Sequence, residues 1–405
     1  MKKNSILLFL VTLYATFVSA NEQDTVSTVK AKAPSFITFN ITDGAVFPTN
    51  EFVSGEHEIP HYASYSIKYG FSAQGDDWKD YAYGMPYLGI GLYVANFYRR
   101  HDDLGVPVSL YFFQGAKLWQ SKKRPGITLN YEWNLGASFN WKHYDPFDNP
   151  NNIALGSTVN IHVAGNLYFK WKLSNKLDLH AGAGFTHFSN GANSLPNKGL
   201  NILSGFVELA YHFNRKELLP DLSGLLTPPP FEKKIEHDLM FLVTSREAKV
   251  DTTGTGLPDI YTKRKFKVLG LSYSHMFRNN YRYKWGPSIE ATYDESAGIS
   301  AWRQIHPESG KYYDRVHLGR FSERFSVGIS MKGEIMMPAY SMFAHLGYDI
   351  IHGSDYDKRF YQILGIKLYL KDNLFGTFGI RANNFGRAQY LYWNLGYTFS
   401  HRSKK

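Results

Sequence analysis

The sequence predicts an all-β protein: an antiparallel transmembrane β-barrel, built as two tandem barrel-like repeats of about eight strands each. One larger barrel of about 14–16 strands is the other closure that the pattern allows. Three observations carry this reading. After residue 60 the chain alternates apolar and polar residues with period two, and its aromatic content is 16 %. Mean hydropathy is −0.33 and no stretch beyond residue 20 is apolar enough for a spanning helix, which excludes a helical membrane bundle. A transmembrane barrel survives that test, because its lipid-facing residues alternate with polar ones and average out.

Cysteine is absent, which removes disulfides, thiolate metal sites, Cys nucleophiles and a Cys-linked lipid anchor. Residues 1–20 form a signal peptide: Lys2 and Lys3, an apolar run from Ile6 to Val18, and the small-residue end Val18-Ser19-Ala20. The chain is therefore expected to be exported. Residues 21–60 are polar and weakly patterned, and are expected to be an N-terminal extension.

Residues 61–213 hold a first strand series at 61–71, 85–97, 106–115, 126–140, 156–172, 176–188 and 202–213. Residues 214–235 carry four prolines and read as a linker. A second series within 236–405 covers 237–249, 265–277, 284–294, 323–334, 337–349, 359–370, 373–384 and 389–399. Turns such as 143–153 and 371–373 are rich in Asn, Asp, Gly or Lys, and many strands place an aromatic near an end. In the last strand Trp393, Leu395, Tyr397 and Phe399 share one face.

The two halves resemble a degenerate repeat. Residues 88–107 can be laid on 269–287, 176–190 on 373–387, and LAYHF at 209–213 on LGYTF at 395–399.

The chemistry concentrates in HFSNGANSLPNKGLN, residues 187–201. His187 and Ser189 are two apart, so on a strand they share a face with Leu179, Ala181, Ala183 and Phe185. In a barrel that apolar face is the outer one. On the next strand Asn201 shares the outer face with Leu203, Val207 and Leu209, whereas Glu208 points inward. A hydroxyl nucleophile needs a base within hydrogen-bond reach and a third group that holds the imidazole. Ser189, His187 and Asn201 supply those residue types, and Asn190 supplies a donor for an oxyanion. A solvated turn in an exported β protein is the competing account of the same residues.

The segment resembles the signature of the PagL-type lipid A deacylases, outer-membrane barrels that remove an acyl chain from lipid A. That pattern is His-x-Ser-Asn, a loop with Pro-Asn-x-Gly, and an acidic residue opening the next strand. Here it is met by His187, Ser189, Asn190, Pro196, Asn197 and Gly199, over a resemblance spanning roughly residues 60–213. The resemblance implies His187 as base, Ser189 as nucleophile and Asn190 as oxyanion donor. It implies lipid A of lipopolysaccharide as the substrate, the bacterial outer membrane as the site of action, and no metal or organic cofactor. The family's acidic position falls on Asn201, which can hold the imidazole tautomer through its amide oxygen but brings no charge. In the second half, Asn384 falls against His187 and Gly386 against Ser189, so that copy is expected to be structural.

Two other function classes fit the same chain: a non-catalytic barrel acting as porin, adhesin or lipid-binding protein, and a secreted carbohydrate-binding β protein. Trp78, Tyr81, Tyr83 and Tyr87 suit sugar stacking or an aromatic girdle equally. Asp251, Asp259 and Thr252–Thr255 lack the ligand spacing of a calcium loop. His352 with Asp355 and Asp357 reads as a polar hairpin tip. No phosphate-binding, dinucleotide or zinc motif occurs. The basic tracts Arg99-Arg100, Lys122-Lys123-Arg124 and Lys263-Arg264-Lys265 suit lipid phosphates better than nucleic acid in an exported chain.

Overall fold

The computed structural model describes residues 34–55, 58–75, 77–98, 101–215, 228–250, 260–337, 340–353, 357–371 and 373–402. The signal segment, Arg99-Arg100, residues 251–259 and Asp355 lie outside them. Two compact units result. The first holds the described residues up to Asn190 and from Lys198 to Pro229; the second holds Gly191–Asn197 and everything from Pro230 onward.

The first unit is a closed antiparallel barrel of β1 (Ser35–Val46), β2 (Tyr62–Ser72), β3 (Tyr87–Asn96), β4 (Gly105–Gln120), β5 (Ile127–Trp141), β6 (Asn160–Lys172), β7 (Leu177–Ser189) and β8 (Leu200–His212). Each strand pairs with the next, and β1 closes the ring on β8. With 10 residues in the shortest strand, β3, every strand is long enough to cross a bilayer at a tilt.

The second unit continues with β9 (Lys234–Arg246), β10 (Lys249–Val250), β11 (Ile260–Tyr261), β12 (Phe266–Arg278), β13 (Tyr283–Asp294), β14 (Ser300–Ile305), β15 (Tyr312–His317), β16 (Phe325–Met336), β17 (Tyr340–His352), β18 (Phe360–Lys371), β19 (Leu374–Asn383) and β20 (Arg387–Arg402). Eight of these close a second barrel in the order β9-β12-β13-β16-β17-β18-β19-β20, while β10-β11 and β14-β15 are small two-stranded sheets in its connections. The chain is thus a tandem of eight-stranded barrels, and the single larger barrel is excluded.

Three differences from the sequence reading stand out. The supposed extension 21–60 supplies β1, whose outward Ile37, Phe39 and Ile41 alternate with inward Phe36, Thr38 and Asn40. Without it the first series has seven strands, and β2 and β8 would be left as open edges, which lipid does not tolerate. The hairpin β14-β15 lies between 294 and 323, where no strand is expected from sequence. Finally, pairing 88–107 with 269–287 equates the third strand of one barrel with the second of the other. The other two repeat matches equate seventh with seventh and eighth with eighth, and so agree with the topology.

Both barrels are apolar outside and polar inside. Exposed outward residues include Ile67, Leu92, Leu167 and Val207 in the first barrel, and Phe241, Leu271, Ile329 and Leu364 in the second. Inside the first, Lys68 Nζ sits 2.8 Å from both Glu132 and Glu208, and His180 Nδ1 sits 2.8 Å from Glu208. Inside the second, Lys332 and Lys367 converge on Asp238 at 3.2 and 2.7 Å, while Lys284 reaches Glu334 at 3.1 Å. Arg381 bridges Glu290 and Asp349 at 2.6 and 2.8 Å. A buried charge needs such a partner, because desolvating it alone costs several kcal/mol.

Candidate active site

The site is built on the hairpin of β7 and β8 and on the start of the connection after β1. Strand β7 pairs without a bulge to β6, from Lys172↔Asp178 to Ile161↔Ser189, and to β8, from Leu177↔Tyr211 to Phe188↔Leu200. Side-chain parity therefore survives along the whole strand. Asp178, His180, Thr186 and Phe188 are buried on the inner face, as are Ser204 and Glu208 of β8. Phe185, Leu203, Val207 and Leu209 are exposed on the outer face. At the close of β6 the Ser174 hydroxyl accepts from the amides of Lys176 and Leu177, which sets the tight turn leading into β7.

His187 lies directly opposite Asn201 in the ladder, on the outward row. Its Nδ1 is 2.7 Å from Asn201 Oδ1, and its Nε2 is 2.8 Å from Ser189 Oγ. Because Asn201 Oδ1 can only accept, the imidazole proton resides on Nδ1, and the Nε2 lone pair faces the serine hydroxyl. The three residues proposed from spacing thus come together in one hydrogen-bonded line. Ser189, however, is only 3 % exposed, although it continues the lipid-facing row. The connections fold over this end of the barrel: Lys198 N donates to Ile153 O at 3.1 Å and Gly199 N to Ala154 O at 2.9 Å.

Gly199 is required by both backbone and space. Its φ is +76°, and a Cβ there would stand 2.8 Å from His187 Cε1. Asn190 follows Ser189 and is buried at 5 % exposure. Pro196 and Asn197 belong to Gly191–Asn197, which groups with the second unit.

Sequence reasoning missed the residues that flank this line. The amide of Phe47 donates to Asn201 O at 2.7 Å, and Asn50 Nδ2 donates to Gly199 O at 3.1 Å. Asn201 Nδ2 donates to Thr49 Oγ1 at 3.2 Å. These residues precede the site by about 150 positions and reach it through the closure of β1 on β8. Their only sequence signal was the alternation of β1 itself.

The other singled-out residues lie elsewhere. Glu208 points inward to Lys68 and His180, as its parity requires. Trp78, Tyr81 and Tyr83 sit in the β2–β3 connection at the opposite end of the barrel from His187, as Lys122-Lys123-Arg124 do between β4 and β5. The Tyr87 hydroxyl bonds Tyr168 inside the lumen at 2.6 Å. In the second barrel Asp357 pairs with Arg246 at 2.7 Å, and His352 Nε2 donates to the Asp357 carbonyl at 2.8 Å. Asn384 and Gly386 form the three-residue β19–β20 turn 384–386, where the first barrel has the ten residues 190–199.

No curated protein matches the chain. Among solved structures, the chain is similar to the outer membrane enzyme PagL, at 17 % identity over 42 % of this chain and 97 % of that one, with a TM-score of 0.29. It also aligns with the siderophore receptor PirA from Pseudomonas aeruginosa (8 % identity, 92 % and 81 % covered, TM-score 0.28). A third match is the Pseudomonas putida toluene transporter TodX (12 % identity, 91 % and 89 % covered, TM-score 0.18). The family model lies on the second barrel and not on the one that carries His187 and Ser189: residues 236–402 match the acyloxyacyl hydrolase C-terminal domain.

Proposed function

We propose that the protein is a serine esterase of the bacterial outer membrane that removes an ester-linked acyl chain from lipid A. The observation that carries the proposal is the line Asn201–His187–Ser189, with hydrogen bonds of 2.7 and 2.8 Å at the end of a lipid-facing row. An acyl ester of a membrane lipid reaches such a position without leaving the bilayer. Ser189 Oγ attacks the ester carbonyl as His187 Nε2 takes its proton. The Asn190 amide donates to the oxyanion of the tetrahedral intermediate. On collapse, His187 returns the proton to the leaving alcohol oxygen of the lipid, and an acyl-Ser189 ester remains. Water, deprotonated by His187, then releases the fatty acid and restores the serine. Asn201 keeps the imidazole proton on Nδ1 throughout.

The signal segment would direct the chain into export towards the outer membrane. A channel reading is disfavoured by the buried ion pairs that occupy both lumens, Lys68–Glu208 in one and Lys367–Asp238 in the other.

Mass spectrometry of lipid A incubated with folded protein tests the reading. Wild type is expected to remove one acyl chain, and Ser189→Ala or His187→Ala to lower the rate by ~10⁴-fold or more. Full activity in either variant sinks the mechanism.

A further inference from the structure

Inside the barrels, cations are matched by carboxylates. Lys68 in the first lumen, and Lys284, Lys332, Lys367 and Arg381 in the second, each reach one. The first barrel breaks this pattern at its turn end, the end away from His187. Lys170 and Lys172 continue the inward row of β6 beyond the buried Tyr168, and neither ladder of β6 is bulged. Lys170 stands opposite Thr128 and His180, and Lys172 opposite Asp178, all three buried. On β4, Lys117 stands opposite the buried Asn130. Arg215, just past β8, completes the set by donating to the Ser174 carbonyl at 3.2 Å and to the Asp178 carboxylate.

One carboxylate serves all four cations. Asp178 is already shared by Arg215 and by His212, whose Nε2 is 2.9 Å away. Lys117 Nζ donates to a neutral acceptor, Gln120 Oε1, at 2.7 Å. Lys170 is half-buried and feels the charges of Arg215, Lys117 and Lys172, while Asp178 stays beyond ion-pair distance. A partly desolvated ammonium without a counter-charge is costly, and crowding like charges around it adds to the cost. An anion entering from the turn end would relieve both. Deeper in, the Tyr87–Tyr168 hydrogen bond and the Lys68 ion pairs occupy the lumen, so such an anion would be held rather than conducted.

We propose that the turn-end mouth of the first barrel is a binding site for a phosphate group, held by Lys117, Lys170, Lys172 and Arg215. Phosphate suits this donor set, because its oxygens accept from several ammonium and guanidinium groups at once. Two sources carry that chemistry: free inorganic phosphate, and the headgroup of an anionic phospholipid in the leaflet bordering this end. The site does not depend on the esterase reading. Asp178 and Ser189 are eleven residues apart on β7, about 35 Å along the strand, so an ester held at Ser189 lies at the far end of the barrel.

The test titrates the full chain, folded in a non-ionic maltoside detergent at low ionic strength, with inorganic phosphate in a calorimeter. Saturable binding with a Kd of about 1 mM or below is expected, and none with sodium chloride at the same ionic strength. Lys170→Gln with Lys172→Gln is expected to weaken it about tenfold or more. Lys122→Gln with Lys123→Gln removes the same charge from the exposed β4–β5 turn and should cost less than about threefold. Equal weakening by the two pairs, or no saturable binding to wild type, overturns the proposal. Urea unfolding guards against a variant that merely folds badly. Without phosphate, the Lys170→Gln, Lys172→Gln protein is expected to unfold at or above the wild-type midpoint, because like charges have been removed. Phosphate should raise the wild-type midpoint and leave that of the variant in place. A variant well below wild type without phosphate, or one stabilised by phosphate as much as wild type, also overturns the proposal. Repeating the titration in nanodiscs of phosphatidylglycerol separates the sources: loss of the binding seen in detergent assigns the mouth to a lipid headgroup, and its retention assigns it to free phosphate.

Discussion

Gly199 shows how closely the site is fitted at the scale of single residues. Gly199→Ala would force a side chain into a left-handed backbone position and against the His187 ring. A loss of about 1–3 kcal/mol in unfolding free energy is expected, together with reduced kcat, because the only way to relieve the contact is to move the imidazole. Chemical denaturation beside initial rates checks both; an unchanged rate would show that the ring has room the structure denies it. His187, Ser189 and Asn201 were legible in the sequence because a strand's period of two places His187 and Ser189 on one face, and the same count on the next strand places Asn201 beside them. Thr49 and Asn50 were not legible. They belong to a segment too polar on average to read as part of a barrel, and only ring closure brings them to the site.

At the scale of elements, the strands are tied inward by charge as well as by their ladders. Lys68 on β2 serves Glu132 on β5 and Glu208 on β8 at once. Lys68→Met would leave two carboxylates facing one another without a cation, at an expected cost of about 3–5 kcal/mol. Replacing all three, as Lys68→Met with Glu132→Gln and Glu208→Gln, should recover most of that loss in equilibrium urea unfolding. A triple variant no more stable than the single one would contradict the account.

The β17–β18 connection responds to pH instead. Burial pushes the Asp357 carboxyl up, but Arg246 beside it outweighs burial and holds it below the usual carboxylate value. Its contribution is therefore complete above the unfolded carboxylate value of ~3.9 and is lost as pH falls through the lower folded value. Asp357→Asn should flatten the acid limb of the unfolding profile and leave the neutral limb lower. The strands of both barrels other than β1 were readable from alternation. The β14–β15 hairpin was not, since its residues never face a lipid on one side and a lumen on the other. The repeat alignment slipped by a strand for a related reason: period-two patterns match one another at any strand offset, and only the hairpins at β7–β8 and β19–β20 fix it.

For the whole molecule, the packed interiors of both rings predict that protein reconstituted in planar bilayers shows no porin-sized conductance steps. Such steps would revive the transport reading. The fold class and the tandem division followed from hydropathy, alternation and the repeat together, because a barrel imposes the same rule on every strand. The candidate site obeys no such rule. It depends on ten residues inserted between two strands, where the sister ring turns in three. The proposed reactive residues thus form a cassette carried on a scaffold that closes equally well without it. Closure of a ring and possession of the proposed reactive line are therefore separate properties, and only the β7–β8 hairpin carries the second.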